Sequence, residues 1–287
     1  MKQIQQHSRI FRGLAPALAI FTATAVASGT TLVHEAFDIP AGDLHGTSGA
    51  TSHGWANGWH SQYDDDGPVN QHSVSASGLT YPNLATTGGA LQIESGGEFA
   101  MDHTFRVLDS TFDSGSMWAS ALIQLSTTAG GTGSFQINFH DDSYNNNLYM
   151  GTEWAGSEWQ IGRGPEGDAR SDSGVAAVGG ETFLLVMNLD FAAEEARFWV
   201  NPESGITDPG APATSITSAE FGPIDRISVT SGSFDDVDFT GTVVDEIRVG
   251  TSYEAVAPIP EPSTYAAFAG LLALALVYLK RRRVSRG

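Results

Sequence analysis

The sequence predicts an all-β fold in which two antiparallel sheets pack face to face as a β-sandwich. Helix signals are nearly absent between the two chain ends, and glycine is abundant, with 33 in 287 residues. Short apolar runs are bounded by Gly, Asp, Asn and Ser, which is the pattern of strands joined by tight turns. One run alternates Phe135, Ile137 and Phe139 with polar residues, as a strand with one buried face does.

About eleven strands at short spacing account for the interior of the chain. Residues 40–90 are rich in Gly, Ser, Thr and Asn and contain no clear strand except near Val74. The predicted strands cover residues 32–37, 90–93, 99–107, 117–125, 135–139, 148–151, 159–162, 182–191, 196–200, 226–230 and 243–249. So many short strands suit two packed sheets. The sequence shows neither a second domain nor an internal repeat.

The longest apolar run, residues 182–191, is predicted to be a central strand that is covered on both faces. A four-residue connection at 192–195 separates it from a second apolar run at 196–200. We expect these two runs to pair as a hairpin across that connection.

The first 27 residues have the order of a secretory signal peptide. Lys2, Arg9 and Arg12 precede an apolar stretch at residues 14–26, which is too short for a good permanent membrane span. The small residues Ala25 and Ala27 place the cleavage after Ala27, and signal peptidase is the implied partner. The protein is therefore predicted to be exported through the inner membrane.

The C-terminal segment, residues 257–287, combines a proline-rich spacer, an apolar stretch and a basic end. The apolar residues 265–279 are mostly Ala and Leu, which favour a helix. Fifteen helical residues span roughly 22 Å, which is short of the ~30 Å hydrocarbon core, so the helix would be a marginal span. The membrane stop that follows holds the C-terminus on the cytoplasmic side, and it consists of Lys280, Arg281, Arg282 and Arg283.

This order of spacer, helix and basic end resembles the PEP-CTERM sorting tail that exosortases process in Gram-negative bacteria. The resemblance implies that Pro260, Glu261 and Pro262 form the processing motif. It also implies that exosortase is a partner and that the helix anchors the protein in the inner membrane only transiently. The processed protein would then reach the cell surface or the extracellular matrix. An ordinary C-terminal membrane anchor is the alternative that the residues leave open.

Removal of the two end segments makes the chain more acidic. The whole sequence has a formal charge of −19. Between residues 28 and 262, six arginines and no lysine remain beside all thirty-three acidic residues, so the formal charge becomes −27. A strongly negative surface repels nucleic acid and anionic membranes, so neither is predicted as a partner.

The chain contains no cysteine, although export would permit disulfides. Its stability must therefore come from a hydrophobic core, for which about 235 residues are ample. The absence of thiols also excludes cysteine nucleophiles and thiolate metal sites.

Two stretches of the interior resemble the concanavalin A-like, laminin-G-like jelly rolls. The first runs from residue 183 into the sequence Arg-Phe-Trp-Val-Asn-Pro at 197–202, and the second is the closing strand at 243–250. The opening residues 35–38 fit as well, because these sandwiches often place their first and last strands side by side. The resemblance implies a jelly roll over residues 28–256. It leaves the activity open, since this fold hosts lectins, hydrolases, lyases and adhesion modules.

The sequence shows no catalytic centre. Retaining glucanases of this fold carry Glu-x-Asp-x-x-Glu on one strand, because glycoside cleavage needs two carboxylates that flank the bond. The nearest approach, residues 166–171, has Ser171 in the third position and is predicted to be a turn. Glu94, Glu98 and Asp102 share parity, but two glycines interrupt them, which favours a solvated edge or turn. The histidines show no ligand spacing and are predicted to be surface or loop residues.

One structural calcium ion is the only cofactor that the sequence suggests. Acidic stretches at residues 64–66, 141–142 and 235–238 carry oxygen ligands that calcium prefers, but their composition favours solvated acidic turns. Some glucanase-like jelly rolls bind calcium through an acid near the first strand and the Asp of the closing strand. That resemblance implies Glu35 and Asp245 as ligands. The alternative is that Asp245 pairs with an arginine.

Tryptophans in polar, glycine-containing segments are candidates for stacking on sugars. Trp55 and Trp59 lie in one such segment, and Trp154 and Trp159 flank another. Packing against the core or an edge of the sandwich is the alternative for all four. Trp118 and Trp199 lie on apolar strands and are predicted to be core residues.

The combined observations predict an exported, non-catalytic protein of the cell surface or extracellular matrix, with polysaccharide as its candidate ligand. The alternative is a carbohydrate-active enzyme of the jelly-roll fold, either a glycoside hydrolase or a lyase. An inert structural component is a third reading.

Overall fold

The structure of the protein is a computed structural model that describes residues 30–61, 72–93, 101–127, 134–143, 147–152, 157–164, 169–217, 221–232 and 241–258. Within these ranges the chain forms sixteen β-strands and one short helix. The strands form two sheets, of nine and seven strands. The predicted all-β sandwich is therefore confirmed.

The larger sheet forms one layer of the sandwich. Its main path runs in the spatial order β14 (Thr214–Thr217), β13 (Glu195–Val200), β12 (Thr182–Asp190), β7 (Ser116–Gln124), β16 (Val243–Gly250), β5 (Ala90–Ile93), β4 (His72–Ser75) and β2 (Gly42–Asp43). The ninth strand, β1 (Thr31–Glu35), pairs antiparallel with β16. The first and last strands are thus neighbours, as predicted.

The smaller sheet forms the second layer. Its strands run in the spatial order β11 (Ala169–Ala176), β10 (Glu158–Arg163), β9 (Leu148–Thr152), β8 (Ser134–His140), β15 (Ile224–Gly232), β6 (Met101–Phe112) and β3 (His60–Ser61). Neighbouring strands are antiparallel, which explains why short connections suffice between many of them.

The hydrophobic core lies between the two sheets, where alternate residues of both layers meet. Phe135, Ile137 and Phe139 enter it from β8, as their alternation predicted. Leu185 and Met187 enter it from β12 in the other sheet. All five side chains are fully buried, and each contributes about 1.5–3 kcal/mol to stability through the loss of apolar surface to water.

Strand β12 is central and buried on both faces, which confirms the prediction for residues 182–191. Its outward residues Leu184 and Val186 lie under the short helix α1 (Tyr253–Val256), which packs on the outside of the nine-stranded sheet. The predicted hairpin is also present, because β12 pairs with β13. The Asp190 carboxylate stabilises its turn by accepting the amides of Ala192 and Ala193, both at 3.0 Å.

The strand prediction was wrong at residues 169–171. They begin the edge strand β11, whereas the sequence suggested a turn, because β11 alternates half-buried and exposed positions without an apolar run. Three further strands that the prediction missed are only two to four residues long, and they are β2, β3 and β14. A run of that length carries no periodic signal.

The two end segments fall outside the part of the chain that the structure describes, apart from residues 257 and 258. The signal cleavage residues, the processing motif and the membrane stop therefore stay predictions. Among the described residues, no helix has the length and apolar character needed to cross a membrane.

Candidate functional site

The outer face of the seven-stranded sheet, here called the polar face, is the strongest candidate for a functional site. On β8 the residues that alternate with the inward Phe135, Ile137 and Phe139 are polar, and they point away from the core: Gln136, Asn138 and His140. The neighbouring strand β15 places Ser228 and Thr230 opposite Asn138 and Gln136. A sheet surface that faced only bulk solvent would not need buried amide and imidazole groups, so this composition suggests a ligand.

Hydrogen bonds between strands fix the polar side chains in place. The Asn138 amide nitrogen donates to the Thr230 hydroxyl at 2.9 Å, and His140 Nε2 lies 3.1 Å from the Ser228 hydroxyl. Asn138 Oδ1 is buried and has no hydrogen-bond partner in the described part of the chain. Buried polar atoms are normally paired, so this acceptor is an exception among the interstrand hydrogen bonds of the polar face.

An aromatic cluster lies beside these groups on strands β3 and β6. The ring of Phe105 stacks between His60 and His103, with centroid distances of 5.7 and 5.8 Å. The Arg226 guanidinium lies 5.5 Å from the centroid of Phe105. It also forms ion pairs at 2.6 and 3.3 Å, with Asp142 and Asp225 respectively. These contacts fix the orientation of the Phe105 ring on the polar face.

The exposure of these residues separates those that a ligand can touch from those that support them. His60, Phe105, Gln136 and Arg226 are half-buried, and His45 is exposed. The supporting groups are almost inaccessible, and they are His103, Asn138, His140 and Ser228. A ligand on the polar face would therefore meet an aromatic ring, an amide and a guanidinium first.

Burial favours the uncharged imidazoles of His103 and His140. Burial is the largest cause that lowers the pKa of His103 to about 3, and the neighbouring His140 and His72 contribute to the same shift. Burial also lowers the pKa of His140, although the hydrogen bond to the Asp141 backbone carbonyl opposes the shift. Neutral imidazoles donate and accept hydrogen bonds without adding charge, which suits an uncharged ligand.

Tyr149 extends the polar face toward strands β9 and β10. It lies opposite Gly162 in the pairing of these strands. A Cβ atom added to Gly162 would lie 2.2 Å from both Cζ and the hydroxyl of Tyr149, so the tyrosine ring lies directly over this glycine. The glycine is therefore needed for the position of the ring.

Among the residues that the structure describes, the middle of the polar face carries no carboxylate. Within the described ranges, the outward residues at 103–107, 136–140 and 226–230 are amides, imidazoles, hydroxyls, Phe105, Val107 and Arg226. Asp142 and Asp225 lie beside the end of the face and are paired with Arg226. Glu94, Glu98, Glu166 and Asp168 lie outside the described residues.

The structure does not bring Glu35 and Asp245 together as a calcium site. Glu35 faces the core, and its oxygens accept hydrogen bonds from four donors: Phe37, Ser52, Trp59 and Arg106. A carboxylate that is engaged by an arginine and three other donors does not fit a metal ligand. Among the described residues, no group of three or more acidic or histidine side chains fits a metal ion.

Asp245 has its own partners on the other side of the nine-stranded sheet. Its carboxylate accepts the amides of Leu79 and Glu246, both at 2.7 Å. Burial and, to a smaller extent, the neighbouring Glu246 raise the pKa of Asp245 to about 8. The nearby arginine, Arg248, donates to Glu246 at 2.6 Å instead. The calcium hypothesis stays untested, but this pair does not supply a shared ligand set.

The prediction that four tryptophans stack on sugars is wrong for two of them. Trp59 and Trp159 are completely buried between the sheets. Trp59 stacks on Phe37 at 5.7 Å, and Trp159 contacts Phe183 at 5.1 Å. Their glycine-rich surroundings suggested loops, yet the rings fill the core. No ring face remains for a ligand.

The other tryptophans have different environments. Trp55 is half-buried against the core, and its indole donates to the His34 carbonyl at 3.0 Å. Trp154 lies outside the described residues. Trp118 and Trp199, predicted to be core residues, lie on the outer face of the nine-stranded sheet, where Trp118 is half-buried and Trp199 is 5% exposed.

Sequence spacing offered little indication of the polar face, because its histidines are far apart along the chain. His60, His103 and His140 approach one another through the order of strands β3, β6, β15 and β8, and His45 contacts His60. The prediction of surface or loop positions is wrong for His103 and His140, which are buried, and His45 is exposed as predicted. The polar positions that alternate with Phe135, Ile137 and Phe139 were the one usable signal.

The fold resembles known jelly-roll structures. The globular domain of T. cruzi calreticulin superposes with a TM-score of 0.50 at 14% identity, covering 88% of this chain and 100% of that domain. A GH131 β-glucanase catalytic domain from Podospora anserina superposes with a TM-score of 0.49 at 13% identity, covering 78% of this chain and 99% of that domain. A family 16 glycosyl hydrolase protein from Mycobacterium smegmatis superposes with a TM-score of 0.46 at 16% identity, covering 77% of this chain and 100% of that protein.

The likeness defines the class of the protein as a two-sheet antiparallel jelly-roll sandwich. At identities this low, it shows the fold alone. No protein-family model matches the chain, and no curated protein sequence matches it.

Proposed function

We propose that this chain is an exported, non-catalytic protein that binds polysaccharide on its polar face. The observation that supports it most directly is the half-buried ring of Phe105, which shares the polar face with the half-buried amide of Gln136 and the guanidinium of Arg226. A sugar presents an apolar C–H face and a rim of hydroxyl groups. On the polar face, the aromatic ring can pack against the C–H face of the sugar, and the amide, hydroxyl and imidazole groups can hydrogen-bond to the sugar hydroxyls.

The charge of the domain supports a neutral ligand over an anionic one. With a formal charge of −27 between residues 28 and 262, the domain repels most polyanions. Arg226, the cation that lies over the Phe105 ring, is paired with two aspartates. Hydrogen bonds and stacking would therefore carry the affinity.

Binding without cleavage is favoured over glycoside hydrolysis. Hydrolysis needs two carboxylates about 5–10 Å apart on either side of the bond. The outward positions of β8, β15 and β6 that surround Phe105 carry none among the described residues. Amides and neutral imidazoles cannot replace that pair as nucleophile and acid.

The destination of the protein follows from its predicted end segments. We propose that signal peptidase cleaves after Ala27 and that exosortase processes the tail at Pro260, Glu261 and Pro262. The mature domain would then act at the cell surface or in the extracellular matrix, where polysaccharide is abundant. A carbohydrate-active enzyme remains the second candidate, since hydrolases share this fold.

A glycan array combined with a reducing-sugar assay tests the proposal. We expect binding of at least one neutral polysaccharide, no release of reducing ends, and a loss of about tenfold in affinity for Phe105→Ala. Phe191→Ala is the matched control, because Phe191 is half-buried like Phe105 but packs against the core beyond the end of β12 and not on the polar face. Turnover that a single carboxylate substitution abolishes would establish the enzyme instead. The absence of both binding and turnover would indicate a structural component.

A further inference from the structure

We propose that a cleft on the outer face of the nine-stranded sheet is a second carbohydrate-binding site, specific for uncharged sugar residues. The cleft has a volume of about 360 Å³. This is within the range of small-molecule sites, about 300–1,000 Å³. Its lining includes Trp118, Arg197, Trp199, Thr207, Asp208 and Pro212. It lies on the opposite side of the sandwich from the polar face.

Two stacked indole rings form one side of this cleft. Trp118 on β7 and Trp199 on β13 meet across the intervening strand β12, with centroids 5.3 Å apart and planes inclined by 26°. Trp199 is buried, whereas Trp118 remains half-exposed. An accessible tryptophan ring with polar neighbours provides the flat apolar surface on which the C–H face of a sugar stacks.

The opposite wall is a short loop that Trp199 holds in position. The Trp199 indole donates to the Gly210 carbonyl at 3.0 Å, and the Asp208 carboxylate accepts the Gly210 amide at 2.9 Å. Pro209 and Pro212 restrict the backbone on either side. The cleft is therefore preformed, which reduces the entropy lost on binding.

The polar groups of the cleft match the hydroxyls of an uncharged sugar. Arg197 lies next to Trp199 on the outer side of β13, and 40% of its side chain is exposed. Asp208 and Thr207 are exposed on the loop. Together they supply hydrogen-bond donors and acceptors, and a sugar hydroxyl uses both.

The charges around the cleft disfavour anionic sugars. The guanidinium of Arg197 is already paired with Glu195 at 2.5 Å, and Asp208 adds a further negative charge. Uronate or sulfate groups would meet this field on a domain that is strongly acidic overall. Neutral hexose or pentose units are therefore the expected ligands.

Two sites on opposite faces would let one molecule bridge two polysaccharide chains. Such bridging rests on the proposed function of the polar face. The proposal of a binding site in the cleft does not depend on the polar face. Binding at the cleft can therefore be tested separately from binding at the polar face.

The experiment is calorimetric titration of the exported protein with neutral glucan, mannan and xylan hexasaccharides, alongside an oligogalacturonate as the anionic comparison. We expect Trp118→Ala and Arg197→Ala each to lower the affinity of the cleft about tenfold or more. Glu195→Gln is the matched control, because it removes the partner of Arg197 without altering the lining. Its affinity should stay within about twofold of the native value.

The outcomes for the two sites can be told apart. Two bound oligosaccharides per chain, of which Phe105→Ala removes one and Trp118→Ala the other, support both sites. If Trp118→Ala and Arg197→Ala bind like the native protein, the cleft proposal is overturned and the polar face is unaffected. If only these two variants lose binding, the cleft stands and the polar face fails. Because Trp118 also contacts Tyr253, Arg197→Ala decides the result if Trp118→Ala does not fold.

Discussion

Glu35 on β1 and Arg106 on β6 form a buried ion pair that joins the two sheets through the core. Their side chains are 1% and 4% exposed. Glu35 also accepts hydrogen bonds from Trp59 and Ser52, and Arg106 donates through Nε to the Asn57 carbonyl. Both charged groups are thus hydrogen-bonded beyond the pair itself, which is the condition under which a buried ion pair offsets its desolvation.

The first prediction is that Arg106→Met destabilises the domain by about 3–5 kcal/mol, because it leaves the Glu35 carboxylate buried without a cation. Urea unfolding monitored by fluorescence measures the loss. The double variant Glu35→Leu with Arg106→Met should be less destabilised than Arg106→Met alone, since no uncompensated charge remains.

The control for this prediction is Arg197→Met. It breaks the exposed pair with Glu195 and should cost under about 1 kcal/mol. A cost for Arg106→Met as small as that of the control would show that the buried pair does not hold the sheets together.

The second prediction concerns Asp245, whose pKa burial raises to about 8. In the unfolded chain the group titrates near pH 4, so the folded protein binds the proton more tightly. The stability that Asp245 contributes is fully present below about pH 4, and it is lost as the pH rises toward 8. Asp245→Asn removes this dependence.

Unfolding free energies of the native protein and Asp245→Asn should therefore diverge between pH 4 and 8, with the native protein losing stability relative to the variant. Asp113→Asn, which changes an exposed carboxylate in a loop, should give a profile parallel to the native one. Parallel profiles for Asp245→Asn as well would contradict the raised pKa.

The third prediction has the opposite sign and concerns His103. Burial lowers the pKa of His103 to about 3, whereas an unfolded histidine titrates near 6.5. The contribution of the neutral imidazole to stability is complete above about pH 6.5 and is lost as the pH falls toward 3. His103→Gln should reduce the loss of stability in this acid range, although His72 and His140 retain a similar dependence.

The test for His103 compares how steeply the unfolding free energy changes with pH in the native protein and in the variant, and it does not compare their absolute stabilities. A glutamine at this position changes the local hydrogen bonds as well as the charge, so only the change of unfolding free energy with pH isolates the titration. His53→Gln serves as the control, because His53 is exposed. An unchanged slope for His103→Gln would show that the imidazole is not held neutral.

The sequence predicted those parts of the fold in which apolar periodicity and tertiary packing agree. The run at Phe183 to Leu189 is apolar on both faces because β12 lies between the core and α1, so its central position could be predicted. The edge strand β11 packs only half of its residues, and its polar sequence did not distinguish it from a loop.

The candidate site was harder to predict, because it depends on which strands become neighbours. His103 and His140 approach within 6.0 Å because β15 lies between β6 and β8, and spacing along the chain does not reveal that order. Trp59 was misassigned for a related reason: its indole is buried by its hydrogen bond to Glu35 and by its contact with Phe37, both distant in sequence.

The fourth prediction is that the exported protein binds no calcium through Glu35 and Asp245. After treatment with a chelator, millimolar calcium should release no heat and should not change the melting temperature, because the Glu35 oxygens are engaged by Arg106 and three other donors. Heat that disappears in Asp245→Asn would restore the calcium hypothesis.

The last prediction concerns the C-terminal tail. In a host that carries an exosortase, mass spectrometry of the mature protein should show a chain that ends near Pro262 and lacks Lys280 to Arg283. The physical reason is that a helix of about fifteen residues spans the bilayer only marginally, so it suits a temporary anchor better than a permanent one. Replacement of Glu261 by Ala should prevent processing and retain the protein in the inner membrane. The matched control is Ser263→Ala, which lies beside the motif without altering it. Mature protein that still carries the segment after Pro262 would leave an ordinary membrane anchor as the function of the tail.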